Sequence, residues 1–182
     1  SHPPPLKLFM SINIVAQIIA VIAVSLMIAS YFSTTKKQYL FLQIFCNIFY
    51  SIQFCLIGGF SAAGICTITL VKTVVFYFYT KKFDKIPFWL LMVFEIIPII
   101  FGGLVVKDLL SAIPIVISCV YTYGTWQKNL KITYLIGSFA GSSWIIYSGL
   151  TGAYVAMIGS GLEILVSLIG QYRLRRKEKA EI

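Results

Sequence analysis

Three charged residues sit deep inside apolar sequence. Lys72 lies within "ITLVKTVVFYF", Glu95 within "LLMVFEIIPII", and Glu163 within "GSGLEILVSL". A lone charge at the centre of a bilayer costs ~2.5–3.5 kcal/mol on insertion scales. Such residues pair, contact water, or contact a solute. Around them run polar positions at helical spacing: Gln43, Asn47 and Ser51; Tyr134, Ser138 and Ser142; Thr69 with Lys72; Ser160 with Glu163. Side chains at i, i+4 and i+8 share one face of a helix. The chemistry that this set offers is hydrogen bonding and charge recognition of a polar solute. No nucleophile–base arrangement accompanies it, so the chain is not expected to be an enzyme. Cys46, Cys55, Cys66 and Cys119 form no CxxC pair and the chain has one histidine, so no metal site or cofactor is expected.

The elements that must position these residues are membrane helices. The chain has 182 residues, of which 59% are hydrophobic and 12% charged, and its mean hydropathy is +0.89. Soluble domains carry ~25% charged residues. Charges here cluster between apolar runs of about 18–25 residues, the length that crosses a ~30 Å hydrocarbon core as helix. The sequence predicts seven spans: 8–32, 38–57, 61–80, 86–102, 108–125, 130–149 and 152–172. The breaks are "STTKKQ", "GGFS" (58–61), "KKFDKIP", "GGLVVKD", "TWQKNLK" and "GLTG" (149–152). The chain is expected to be all-α and multi-pass, with the lipid bilayer as its first partner.

Basic residues set the orientation. The N-terminal side of the predicted topology holds Lys7 and Lys107. The other side holds Lys36, Lys37, Lys81, Lys82, Lys85, Lys128, Lys131, Arg173, Arg175, Arg176, Lys177 and Lys179. Twelve against two predicts the N-terminus outside and the C-terminus in the cytoplasm. The formal charge of +9 is explained by this bias and implies no nucleic-acid partner. The N-terminal "SHPPPLK" has no signal-cleavage pattern.

A shift of 91 residues lays the second half on the first. Lys37 meets Lys128, Gly58 meets Gly149, and "YTKK" meets "GQYR". Asn47, Ser51, Thr69 and Lys72 then meet Ser138, Ser142, Ser160 and Glu163. The reading is a 3+1+3 arrangement of two parallel triple-helix repeats: 1–85 with spans 1–3, a connector span in 86–105, 106–172 with spans 5–7, and a basic cytoplasmic tail at 173–182. Parallel repeats related by an axis along the membrane normal are a known transporter plan. In that plan Lys72 and Glu163 occupy equivalent positions, where they pair, share a wet cavity, or stay apart with Lys72 snorkelling. The candidate solute pathway is Lys72, Glu163, Asn47, Ser51, Ser138, Ser142, Thr69 and Ser160, with Asn13 and Gln17 weaker candidates.

Glu95 is expected to cap a backbone defect before Pro98 or to meet a polar residue of the first bundle. Pro114 is expected to kink span 5. Gly137 and Gly141 read as close packing inside the bundle. Tyr31, Tyr79, Tyr121, Tyr123 and Trp126 read as interfacial aromatics.

Two stretches carry a resemblance: "GGFSAAGICTITLVKT" (58–73) and "VKDLLSAIPIVIS" (106–118). With them the chain resembles the YgjV-type bacterial inner membrane proteins over nearly its whole length. More distantly it is similar to SWEET sugar transporters, PQ-loop proteins and PnuC vitamin transporters. That likeness implies a bacterial inner membrane location, a SWEET-like fold, a solute path between the halves and a possible homo-oligomer. There is no PQ dipeptide, and spans 1, 2 and 6 lack proline. A charged pair in place of neutral amides argues against sugar. The leading expectation is a transporter or facilitator of an unidentified small polar solute by alternating access. The other is a non-transporting membrane scaffold or sensor whose Lys–Glu pair is structural.

Overall fold

The computed structural model describes residues 6–57, 60–83, 85–105, 109–150 and 154–180. Lys107, Gly58, Gly59, Thr151 and Gly152 of the expected loops lie outside them, as do the side chains of Lys7, Asn13 and Pro114. Seven helices and no strand occur among the described residues: α1 (Leu6–Tyr31), α2 (Lys36–Leu56), α3 (Phe60–Phe83), α4 (Phe88–Val105), α5 (Leu109–Trp126), α6 (Leu130–Leu150) and α7 (Tyr154–Ala180). Their ends fall within a few residues of the sequence expectation, except at the C-terminus. There the basic segment after residue 172 continues α7 as helix to Ala180. "RLRRKEKA" is made of good helix formers and contains no glycine or proline.

Among the described residues, three helices are long and apolar enough to cross a membrane, over Ile14–Tyr31, Lys36–Leu56 and Ala63–Phe83, and Phe88–Leu104 is a shorter apolar helix. The outside is rich in large apolar side chains: Ile18, Val21, Phe78, Ile100, Phe139 and Leu165 are all exposed. The inside holds polar ones, among them Ser30, Gln43, Asn47, Lys72, Thr122 and Ser167. In water this arrangement would leave a large apolar surface unpaid for. In lipid the outward side chains need no cover, and the inward hydroxyls and amides find partners with one another.

Helices that follow one another pack together, α1 on α2 on α3 and α5 on α6 on α7, with α4 against α5 and α3. The first three helices meet the last three through α1 with α7 and through α3 with α5. Glycines permit the closest of these approaches. A Cβ built on Gly170 of α7 would lie 2.5 Å from the Tyr31 carbonyl oxygen of α1. One on Gly137 would lie 2.3 Å from the Tyr31 hydroxyl, and one on Gly141 would lie 2.9 Å from Ile164 of α7. The Gly137–Gly141 step therefore packs within the bundle.

Local signals start α2 and α6. Thr35 caps α2 by accepting from the Gln38 backbone N–H at 3.3 Å. Asn129 Oδ1 accepts from the Lys131 N–H at 2.9 Å just before α6.

Gly170→Ala must displace backbone and is expected to destabilise the protein by ~1–3 kcal/mol. Gly103→Ala meets nothing within 4 Å and is expected to be neutral or stabilising by up to ~1 kcal/mol. Thermal unfolding of both variants in the same detergent makes the comparison. Equal melting temperatures would contradict the α1–α7 contact.

Candidate functional site

Glu163 projects from α7 and its Oε1 accepts a 2.8 Å hydrogen bond from the Tyr31 hydroxyl of α1. The Tyr31 hydroxyl lies 3.4 Å from that of Tyr121 in α5. The Tyr121 hydroxyl in turn lies 3.1 Å from that of Tyr39 in α2. The rings of Tyr31, Tyr39 and Tyr134 pack at centroid distances of 5.2–6.0 Å. All three are fully buried. Tyr134 donates to the Ser33 carbonyl at 2.9 Å, at the end of α1. A buried tyrosine brings a large apolar body and one hydroxyl that must be satisfied. Here the hydroxyls satisfy one another and converge on a carboxylate. Tyr31 is therefore an interior ligand of Glu163 and not the interfacial residue its place near a span end implied.

Lys72, 2% exposed, takes a different partner. Its Nζ donates to Thr122 Oγ1 of α5 at 3.0 Å and stands 5.9 Å from the Tyr121 ring centroid. Thr122 passes its own hydrogen to the Ser118 carbonyl at 2.8 Å. Glu95 of α4 lies within electrostatic reach of Lys72. The hydrogen-bonding partners of Lys72 and Glu163 are hydroxyls on other helices, not one another.

These two contacts are related by the register read from the sequence. Tyr31 plus 91 residues is Thr122, and Glu163 minus 91 is Lys72. So Tyr31–Glu163 joins α1 to α7, and Thr122–Lys72 joins α5 to α3 by the corresponding bond. Tyr121 lies between them, touching both.

The remaining candidates are more scattered. Ser138 Oγ donates to Ser167 Oγ at 2.9 Å, and Ser167 bonds to the Tyr134 carbonyl, tying α6 to α7. Asn47 is buried and donates to the Gln43 carbonyl at 2.7 Å, and Gln43 donates to Ser30 of α1 at 2.9 Å. Ser51 accepts from Thr67 of α3 at 3.5 Å. Ser142 is exposed and bonds back along its helix to the Ser138 carbonyl at 2.9 Å. The Thr69 carbonyl accepts from Thr73 at 2.7 Å. The Ser160 carbonyl lies 3.3 Å from a Cβ built on Gly141. Of the hydroxyls that hold the charges, that of Thr122 is not singled out from the sequence and that of Tyr31 is read there as interfacial. Their signal was present: applying the 91-residue register to every polar residue pairs them.

A cavity of about 830 Å³ opens at the basic end of the bundle. Its lining includes Lys36, Thr80, Trp126 and Asn129. Lys36 reaches inward, donating to Thr133 Oγ1 at 2.7 Å and to the Gly124 carbonyl at 3.3 Å. Its Nζ is 5.3 Å from the Tyr39 ring centroid. Neither Lys72 nor Glu163 lines this cavity. The way from it to Glu163 runs past the tyrosine cluster.

Losing the Tyr31 donor leaves the half-buried Glu163 carboxylate short of a partner. Tyr31→Phe is expected to cost ~1.5–3 kcal/mol, the range for hydrogen bonds to charged groups. In double-mutant cycles of stability, Tyr31→Phe with Glu163→Gln should couple by more than ~1 kcal/mol. Lys72→Met with Glu163→Gln should couple more weakly. The reverse order would mean that the two charges pair directly.

No curated protein and no solved structure matches this chain. The profile of a family described as bacterial inner membrane protein, Imp-YgjV, matches residues 14–178. That match covers nearly all of the helical bundle, including both cross-half contacts and the residues of the cavity, and the chain belongs to the Imp-YgjV family of bacterial inner membrane proteins.

Proposed function

We propose that this protein is a transporter or facilitator of a small polar solute, working by alternating access between two triple-helix halves. In this reading all seven helices span the inner membrane, the N-terminus is outside and the C-terminus is cytoplasmic. Helix α4 is the connector of a 3+1+3 plan similar to that of SWEET and PQ-loop proteins.

The observation that carries the proposal is the pair of cross-half contacts. Each charge, Lys72 and Glu163, rests on a neutral hydroxyl from the opposite half. An ion pair would hold the halves by a strong mutual attraction and would leave neither charge available. A hydroxyl is a weaker partner, and a polar solute can replace it at small net cost. The exchange of the two contacts under the 91-residue register supports quasi-equivalent halves, as does the meeting of the halves through α1–α7 and α3–α5. Two similar interfaces that open in turn are what alternating access requires. The cavity at the basic end supplies an entrance on the side that the lysine bias assigns to the cytoplasm.

One observation favours a second reading, that of a membrane scaffold or sensor. The cavity ends before Lys72 and Glu163, and the tyrosine cluster fills the space above them. A scaffold would keep that cluster closed permanently. A transporter would hold it closed in one state only.

The two readings separate on solute exchange. A panel of sugars, amino acids, nucleosides and carboxylates is first screened for thermal stabilisation of the purified protein. Solutes that stabilise it are then followed by counterflow in proteoliposomes. Transport predicts at least one solute that does both, with counterflow abolished by Lys72→Met and by Glu163→Gln. No stabilising solute and no exchange would leave the scaffold.

A further inference from the structure

The lysines at the basic end of the bundle are arranged in a way that span-end bias does not require. Positive-inside topology asks only that basic residues lie on the cytoplasmic side. Here Lys36, Lys37, Lys85, Lys128 and Lys131, drawn from three separate loops and helix ends, surround one concavity. None of its described lining residues is acidic. We propose that this cavity is a binding site for a phosphate group, carried either by a small soluble phosphate compound or by the headgroup of an anionic lipid.

Four observations converge on that chemistry. The volume of about 830 Å³ falls in the ~300–1,000 Å³ range of small-molecule sites. Two helices begin at its wall: Thr35, Lys36 and Lys37 open α2, and Asn129, Leu130 and Lys131 open α6. The N-terminus of a helix carries a partial positive charge that suits phosphate, and this charge remains although the Gln38 and Lys131 N–H groups are taken by their caps. The charged residues of the wall are lysines, while Arg173, Arg175 and Arg176 are not part of it. Ammonium groups bind phosphate as compact point charges that approach the anion from several directions, and guanidinium groups bind it equally well through a bidentate fork. Finally, Lys36 is buried and its Nζ is held by two neutral acceptors. A dianion in the cavity would bring that buried ammonium a counter-charge. The site stands whether or not the chain carries a solute across the membrane.

The test uses the full chain in nanodiscs of zwitterionic phosphatidylcholine, with pyrophosphate as the soluble probe and chloride holding ionic strength constant. A parallel sample contains phosphatidylglycerol as the lipid probe. The variants are Lys37→Gln with Lys85→Gln, both exposed in the structure, and Lys37→Arg with Lys85→Arg. A soluble phosphate ligand predicts saturable pyrophosphate binding and a rise in melting temperature. The Gln pair should weaken that binding roughly tenfold, and the Arg pair should largely restore it. A lipid headgroup predicts that phosphatidylglycerol raises the melting temperature instead, again lost with Gln and kept with Arg. Melting of the Gln pair without either probe shows that it is folded. Should neither probe stabilise the protein, or should the Gln pair bind as the parent chain does, the proposal is overturned.

Discussion

A charge inside a bilayer must be met by something, and the interior of this protein is organised by how two charges are met. Water is absent from the hydrocarbon core, so an unpartnered ammonium or carboxylate costs several kcal/mol or more. Lys72 and Glu163 each take a hydroxyl from a helix of the opposite half. That choice brings α1 against α7 and α5 against α3. It requires Gly170 and Gly137, where a side chain would collide with Tyr31. It also requires the tyrosine cluster, since the Tyr31 hydroxyl that serves Glu163 is itself placed by Tyr121, Tyr39 and Tyr134. The polar core is a single connected arrangement in which serines, threonines and tyrosines take the place that water has in a soluble protein.

The helices were legible in the sequence, because length and apolarity decide membrane helices before tertiary detail enters. The sequence also places Lys72 and Glu163 inside apolar stretches, where a charge is costly in lipid. The partners were not legible. A register of 91 residues lays Lys72 on Glu163, and that correspondence suggests that they meet at the axis. In the structure the residues that touch are Tyr31 with Glu163 and Thr122 with Lys72, two contacts that the register exchanges. A one-dimensional register tells which residues correspond and leaves open whether corresponding residues touch. Tyr31 was misread because a tyrosine near a span end is most often interfacial. Only the glycines facing it, on α6 and α7, reveal that it points inward.

The basic end of the bundle illustrates the other limit. Counting lysines along the chain gives orientation. It does not show that lysines from separate loops enclose one cavity, or that Lys36 is buried and reaches Thr133 and Gly124. That arrangement arises from helix packing, which places the starts of α2 and α6 on the wall of one cavity. The cavity, the tyrosines and the two charges then lie in order from the basic end inward. A solute moving along this line would meet cations first, then the aromatic cluster, then the hydroxyl-held charges.

Whether that line ever opens is decided most directly at Cys46. Its thiol is buried in α2, donates to the Ala23 carbonyl at 3.4 Å, and lies within electrostatic reach of Glu163. With Cys55, Cys66 and Cys119 replaced by alanine, it is the one thiol left in the chain. A small, cationic, membrane-impermeant thiol reagent can then be added to the protein in sealed vesicles. A pathway that opens predicts progressive modification of Cys46 in the folded protein, at a rate changed by Tyr31→Phe. Modification only after denaturation, with Tyr31→Phe making no difference, would contradict the account of a solute pathway through this bundle.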